Sequence, residues 1–302
     1  MTTFTRRRFL ATPALAAWAR AASLSQVRLG VTTDEIDEDL LTAARFLQEF
    51  GLSWAEVRSM WGKYNTSQPL DKIREAKALL DQHSIRLSIL STAFFKIPLP
   101  PDTPQGRATL DNQWSLLDAA MERARLFGTD KIRVFAFTYK SGETPDDKAY
   151  PRIYELVREA ARRAKARNFR LALENVGDSY VWTGAQAARL LKAVPDSNFG
   201  LTWDPNNAAT AGEKSFPDGY KLLDPARIFH VHLRDYRHGS GGKVEWCAVG
   251  EGEFDNLGQI RALLQTGFKD SFTLETHYRS PQGKAHATRT SLTALLKVVE
   301  QV

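Results

Sequence analysis

The feature of this sequence that most restricts its fold is a regular alternation of short β-rich segments with amphipathic stretches. Eight such segments occur, and each is followed by a run with helical periodicity. They are VRLGVT (27–32), SWAEVR (53–58), IRLSIL (85–90), KIRVFAF (131–137), RLALEN (170–175), FGLTWD (199–204), IFHVHL (228–233) and SFTLET (271–276). Parallel strands need helical crossovers, and eight of them close a sheet on itself. The pattern therefore predicts an α/β protein with a (β/α)8 TIM-barrel fold.

An open, doubly wound sheet is the alternative arrangement of alternating strands and helices. In that fold a glycine-rich phosphate loop follows the first strand, whereas here the first strand leads into VTTDEID. No linker rich in Pro, Gly or Ser divides the 302 residues. We therefore expect a single barrel domain over residues 25–302, with its active site where the carboxyl ends of the strands open.

Residues 1–24 have the pattern of an export signal. An arginine-rich head precedes an apolar run over 9–18 and small residues around 19–22, and TRRRFL (5–10) resembles the twin-arginine motif. The alternative is a short amphipathic or membrane-anchoring helix, but about ten apolar residues cannot cross a hydrocarbon core of roughly 30 Å. We expect a cleaved signal peptide, the twin-arginine machinery as a transient partner, a periplasmic or otherwise exported protein, and no stable membrane insertion.

Charge and composition narrow the partners and the type of metal site. The net charge is +6, but four of the 41 basic residues lie in the first 22 positions, which hold no acid, so 37 basic face 35 acidic residues elsewhere. This near-neutral remainder offers no basic stripe for a nucleic acid. Because Cys247 is the single cysteine, any metal site must use His, Asp and Glu.

Four consecutive strand segments finish with residues of the metal-ligating types. They are Glu174 in LALEN, Asp204 in LTWDPNN, His232 in HVHLRD and Glu275 in FTLETH. A single acid at a strand end is commonly a solvated cap, and a lone histidine is commonly a core residue. Neighbouring strands of a barrel, however, open into one mouth, where three gathered carboxylates call for a compensating cation. The set predicts one divalent ion, with Mn²⁺ or Mg²⁺ favoured by the oxygen ligands and Zn²⁺ or Co²⁺ also compatible.

The order and spacing of several motifs resemble a known family. GLSWAEVRSMWG, LLDAAMERARLFGTDKIRVFAF, LALENVGD, LTWDPNNA, IFHVHLRD, VGEGEFD and FTLETH together are similar to the sugar phosphate isomerase/epimerase group of xylose-isomerase-like TIM barrels, in the AP endonuclease family 2 superfamily. The resemblance spans residues 27–300 and implies that Glu174, Asp204, His232 and Glu275 bind one metal. His230 then lies on the same face as His232, one layer lower.

The resemblance also implies a reaction on a sugar, sugar phosphate or cyclitol. In such isomerases and epimerases two metal-bound glutamates lie on opposite faces of the substrate, and the metal stabilises the enediolate formed by proton abstraction next to a carbonyl. This assigns Glu174 and Glu275 as the catalytic acid/base pair. Several epimerases have a histidine three residues after the strand-six aspartate, where this chain has Asn207, which cannot take up a proton at neutral pH.

Five residues of the predicted mouth are candidates for substrate binding. They are Asn207, Glu56 and Arg58 at the end of strand two, and Arg237 and His238 in the long loop after strand seven. For Glu56 and Arg58 a structural ion pair is an equally good interpretation, and the loop residues are as readily explained by solvation.

Three other functions are compatible with parts of the pattern. A lyase or dehydratase would use the same metal and enolate but eliminate water or a glycosidic oxygen. A non-catalytic, exported sugar-binding protein would need no metal. A DNA-repair endonuclease with three zinc ions is disfavoured, because two of the six histidines, His83 and His286, lie away from the mouth. The sequence is compatible with a homo-oligomer.

Overall fold

The computed structural model describes residues 27–140 and 142–302, so the predicted signal peptide lies outside the described residues. Eight strands form the barrel: β1 (Arg28–Thr32), β2 (Trp54–Val57), β3 (Arg86–Ser91), β4 (Lys131–Val134), β5 (Arg170–Glu174), β6 (Phe199–Trp203), β7 (Ile228–Leu233) and β8 (Ser271–Leu274). Each strand pairs in parallel with the next along the chain, and β8 pairs with β1. The predicted single-domain (β/α)8 barrel is confirmed.

One α-helix follows each strand in the described chain. The helices are α1 (Leu40–Glu49), α2 (Leu70–Gln82), α3 (Pro104–Phe127), α4 (Tyr150–Lys165), α5 (Gly184–Ala193), α6 (Pro205–Thr210), α7 (Asn256–Gln265) and α8 (Lys284–Val299). Their apolar residues recur at helical spacing; in α4 the buried side chains include Ile153, Val157, Ala160 and Ala164. Among the described residues no helix is both long enough and apolar enough to cross a membrane.

Strand β4 is shorter than the apolar segment 131–137 predicts. It ends at Val134, and the backbone N–H groups of Phe135 and Phe137 donate to the carbonyl oxygens of Phe94 and Phe95, each at 3.0 Å. Phe137 has a φ of 62°, which no strand residue adopts. The chain after β4 therefore leaves the sheet and joins the loop after β3 at the carboxyl end of the barrel.

A β-hairpin covers part of the same end, after β7. Residues Asp235–His238 pair antiparallel with Val244–Cys247. The Asp235 carboxylate holds the base of this hairpin, because it accepts backbone hydrogen bonds from Tyr236, Gly250 and Phe254. The Asp235 carboxylate therefore helps to hold the long loop after β7 in its conformation.

Candidate metal centre and active site

Four side chains from adjacent strand ends converge in the barrel mouth. Glu174 ends β5, Asp204 and Glu275 directly follow β6 and β8, and His232 lies near the end of β7. Their potential ligand atoms all lie within 4.8 Å of one another. The Nδ1 atom of His232 is 3.5 Å from Glu174 Oε1, 3.6 Å from Asp204 Oδ2 and 3.3 Å from Glu275 Oε2. The structure therefore gathers the four predicted ligand residues around one point.

The donor set fits a divalent cation. In the described chain His232 Nδ1 and Glu275 Oε2 are buried and lack a hydrogen-bond partner. Around this point four carboxylates are buried, with Glu56 added to the three above, but only two guanidinium groups, Arg133 and Arg234, are buried with them. Arg58 also contacts Glu275 but shares its charge with Asp34 and Glu35, so the carboxylates around this point outnumber the arginines. A divalent ion bound by three carboxylates and one imidazole would offset the excess negative charge.

Glu56 lies beneath the four ligands and fixes the histidines. Its Oε2 accepts hydrogen bonds from Nε2 of both His230 and His232, each at 3.0 Å. Donation from Nε2 of His232 to Glu56 leaves Nδ1 as the ring atom that faces the carboxylates, where a bound metal would take the place of a proton. His230 also contacts Ser271 Oγ at 2.8 Å, and burial lowers the pKa of His230 to about 4, so this ring is neutral. Glu56 is fully buried and its carboxylate is engaged by these imidazoles.

Each carboxylate of the ligand set contacts at least one arginine. Arg133 Nη1 is 3.0 Å from Glu174 Oε2, Arg58 Nη1 is 2.5 Å from Glu275 Oε1, and Arg234 donates to Asp204 Oδ2. Burial opposes the charge on Glu174, but the Arg133 guanidinium and His232 outweigh it and hold the pKa of Glu174 at about 2. Burial also opposes the charge on Glu275, but His277 and His232 hold the pKa of Glu275 well below its usual range. The two glutamates are therefore ionised at neutral pH.

Two of these arginines, Arg133 and Arg234, were not among the predicted site residues. A usable signal exists for Arg133, because it interrupts the otherwise apolar run IRVFAF at an inward-facing position of a barrel strand. Arg234 stands directly after β7 in HVHLRD, where its guanidinium also lies 4.3 Å from the ring centre of Trp246. Sequence alone does not show which carboxylate either arginine faces.

Two of the remaining predicted residues, Arg58 and Asn207, contact the ligand set. Arg58 does not pair with Glu56; its guanidinium bonds to Asp34, Glu35 and Glu275. Asn207 is buried, donates from Nδ2 to Glu174 Oε1 at 3.3 Å and from its backbone to Asp204 Oδ1 at 2.8 Å.

Arg237 and His238 lie apart from this cluster, on the hairpin after β7. Arg237 Nε is 3.8 Å from Glu245 Oε2, and His238 Nδ1 is 2.8 Å from Glu253 Oε2. Both side chains are about half exposed, at 55% and 48%. The structure does not bring either residue to the four ligands.

The structure is a closed (β/α)8 barrel in which strands five to eight end in three carboxylates and a histidine. It therefore belongs to the class of TIM barrels with a candidate metal site at the mouth. The profile of the xylose isomerase-like TIM barrel family matches residues 44–298, and the chain belongs to this family. No curated protein matches the chain.

Solved structures with the same fold share little sequence with the chain. The IolI protein with a bound zinc atom is 19% identical, with a TM-score of 0.71 over 90% of this chain and 98% of that one. The probable 3-DHS dehydratase AsbF from Bacillus anthracis is 17% identical, with a TM-score of 0.67 over 90% and 98%. The 3-keto-D-glucoside 4-epimerase YcjR from E. coli is 17% identical, with a TM-score of 0.65 over 90% and 99%.

Proposed function

We propose that this protein is a divalent-metal-dependent enzyme that isomerises or epimerises a sugar, sugar phosphate or cyclitol by proton abstraction next to a carbonyl. The observation that carries the proposal is the pair Glu174 and Glu275, whose oxygens lie 3.5 and 3.3 Å from the same imidazole nitrogen of His232. A reaction that removes a proton from a carbon and returns one needs groups that can accept and donate protons, and two ionised carboxylates in one ligand set can serve as such groups.

The residues around the pair support this chemistry. A bound divalent ion would supply Lewis-acid polarisation of the substrate carbonyl. Arg133 and Arg58 contact the two glutamates, while Asn207 and Glu56 fix the orientation of Glu174 and His232. One glutamate then takes the proton beside the carbonyl. The proton returned to the product comes from that same glutamate, or from the other one after it has taken a proton from a substrate hydroxyl group or from water. Among the similar folds, a sugar epimerase and a zinc-bound protein are consistent with this proposal.

A lyase that starts from the same proton abstraction is the second candidate. It would expel water or a glycosidic oxygen instead of returning a proton, and a similar fold belongs to a probable dehydratase. The two outcomes differ in the product. Epimerisation or isomerisation in deuterated water introduces deuterium at the carbon beside the carbonyl, unless the abstracted proton is returned without exchange, whereas elimination yields an unsaturated product.

The test is a panel of keto-sugars, keto-glycosides and sugar phosphates incubated with the metal-loaded protein, with products identified by NMR in deuterated water. Glu174→Gln and Glu275→Gln each retain an oxygen in the ligand set but cannot accept the proton. We expect kcat to fall by about 10²- to 10⁴-fold, with a smaller change in KM. Unchanged turnover in both variants, or sugar binding without metal and without turnover, would contradict the proposal.

We also propose that the protein is exported by the twin-arginine route, which rests on the sequence of residues 1–24. That route carries proteins that are already folded, so a metal could be inserted before export.

A further inference from the structure

Lys96 is a cation at the barrel mouth that the metal centre does not use. It lies in the loop after β3, and in the part of the chain that the structure describes its ammonium makes no ion pair or hydrogen bond. Arg58, Arg133 and Arg234, in contrast, are each bonded to a carboxylate of the ligand set. The positive charge of Lys96 is therefore available to a bound ligand.

The position of Lys96 is set by a well-anchored loop. The Phe95 N–H donates to Gln113 Oε1 at 2.8 Å, and the Phe94 and Phe95 rings stack with centres 3.9 Å apart. The carbonyl oxygens of the same two residues accept from Phe135 and Phe137. Because the two residues directly before Lys96 are fixed by these hydrogen bonds and by ring packing, the backbone at Lys96 is held in place before any ligand binds.

Contacts with one aromatic ring place the ammonium next to the candidate active site. Lys96 Nζ lies 4.7 Å from the ring centre of Phe135, and the Arg133 guanidinium lies 5.0 Å from the same centre. Arg133 in turn contacts Glu174 at 3.0 Å. Lys96 is exposed, so its ammonium can be reached by a ligand that enters the barrel mouth. No carboxylate of the described chain forms an ion pair with it.

We propose that Lys96 binds an anionic substituent of the substrate, a carboxylate or a phosphate group, at a position away from the reacting carbonyl. The proposal rests on the function proposed above and narrows its substrate class to sugar acids or sugar phosphates. Lysine is a compact point charge suited to either anion. A neutral sugar offers only hydroxyl groups, and a hydrogen bond from an ammonium to a hydroxyl is weaker than one to a formally charged anion.

The test compares three six-carbon polyols that differ in charge: D-glucitol, D-gluconate and D-glucitol 6-phosphate. Their dissociation constants are measured by calorimetry on the metal-loaded full protein, so no turnover is needed. We expect one anionic probe to bind about tenfold or more tightly than D-glucitol, as a charge-assisted hydrogen bond implies. Tighter binding of D-gluconate identifies a sugar acid, and tighter binding of the 6-phosphate identifies a sugar phosphate.

Lys96→Gln should remove this preference and leave D-glucitol binding unchanged, and Lys96→Arg should retain most of it. Lys140→Gln is the matched control, because Lys140 is 80% exposed and lies 3.5 Å from Glu143 in the loop after β4. The proposal is overturned if neither anion binds more tightly than D-glucitol, or if the preference survives in Lys96→Gln. A Lys96-dependent preference in a protein that turns over no member of the substrate panel would support the anion site while contradicting the proposed function.

Discussion

At the scale of single residues, two side chains of the centre, His232 and Glu275, are each bonded through one atom and leave another free to bind a cation. His232 bonds to Glu56 through Nε2 and presents Nδ1 to three carboxylates. Glu275 contacts Arg58 through Oε1 and leaves Oε2 without a hydrogen-bond partner among the described residues. This division lets the protein hold a ligand in position before a cation binds, because the supporting contacts do not compete for the ligand atom.

Asp204→Ala should lower metal content and activity together. The substitution removes one of the four converging ligand residues and the carboxylate to which Arg234 donates. Metal analysis of the purified variant, beside activity on any substrate that the panel identifies, measures both effects. Asp218→Ala is the control, because Asp218 is 60% exposed and 3.8 Å from Lys214. Full metal occupancy in Asp204→Ala would remove Asp204 from the site.

Arg58→Met should destabilise the fold as well as the centre. Arg58 bonds to Asp34, Glu35 and Glu275, and its side chain is only 19% exposed. Loss of the guanidinium leaves three carboxylates close together, at a cost of about 2–3 kcal/mol in the free energy of unfolding. Urea denaturation of the metal-free protein measures it.

The matched control for Arg58→Met is Arg107→Met, since Arg107 and its partner Asp102 are 59% and 80% exposed. We expect this change to be within about 0.5 kcal/mol of zero. Equal effects of the two substitutions would mean that the Arg58 cluster contributes no more than an ordinary surface pair.

At the scale of elements, the position of each ligand depends on close packing between neighbouring strands. Strand β6, which ends just before Asp204, packs against the start of β7 at Gly200. A Cβ atom added at Gly200 would lie 2.3 Å from the Arg227 carbonyl oxygen and 2.7 Å from the Phe229 ring. The absence of a side chain at this point therefore allows β6 and β7 to approach as the barrel requires.

Gly200→Ala should lower the free energy of unfolding by about 1–3 kcal/mol, because backbone atoms would have to move to admit the methyl group. Gly177→Ala is the control, since its added Cβ would make an ordinary 3.4 Å contact with Trp182. Thermal unfolding of both variants gives the comparison. A Gly200→Ala protein as stable as the control would mean that β6 and β7 can separate at no cost.

At the scale of the whole molecule, the barrel places the charged groups of the candidate site at its mouth and packs apolar side chains between its strands and helices. The ligand set, the three arginines bonded to it and Lys96 all lie at or after the carboxyl ends of the strands. The outer layer is apolar packing of helices on strands, with buried residues such as Val157 and Leu190. Chemistry and stability are therefore largely separated in the fold, as is usual for such barrels.

Export should depend on the arginines of the first segment. Replacement of Arg6, Arg7 and Arg8 by lysine keeps the positive charge but removes the twin-arginine pair, so the full-length protein should accumulate in the cytoplasm with its first 24 residues attached. Cell fractionation and mass spectrometry of the N-terminus measure both properties. Undiminished export of the triple variant would contradict the twin-arginine route.

The sequence by itself determined the repeated unit and the residue types at the strand ends. Strand and helix alternate with clear periodicity, and such local patterns do not depend on distant contacts. The four ligand-type residues could be found because each stands at the end of an apolar strand segment. The extent of β4 could not be predicted, because Phe135 and Phe137 have strand-like sequence but bond to a loop from the preceding unit.

Only the tertiary structure decided which charged groups meet. The hydrogen bonds of Glu56 with His230 and His232, and the ion pair of Arg133 with Glu174, join side chains far apart in the chain. Their partners depend on which positions face inward in a closed barrel of fixed tilt and register, which no local pattern specifies. The same closure leaves Lys96 beside the candidate active site with no carboxylate bonded to it in the described chain, because the nearest acids are already held by arginines.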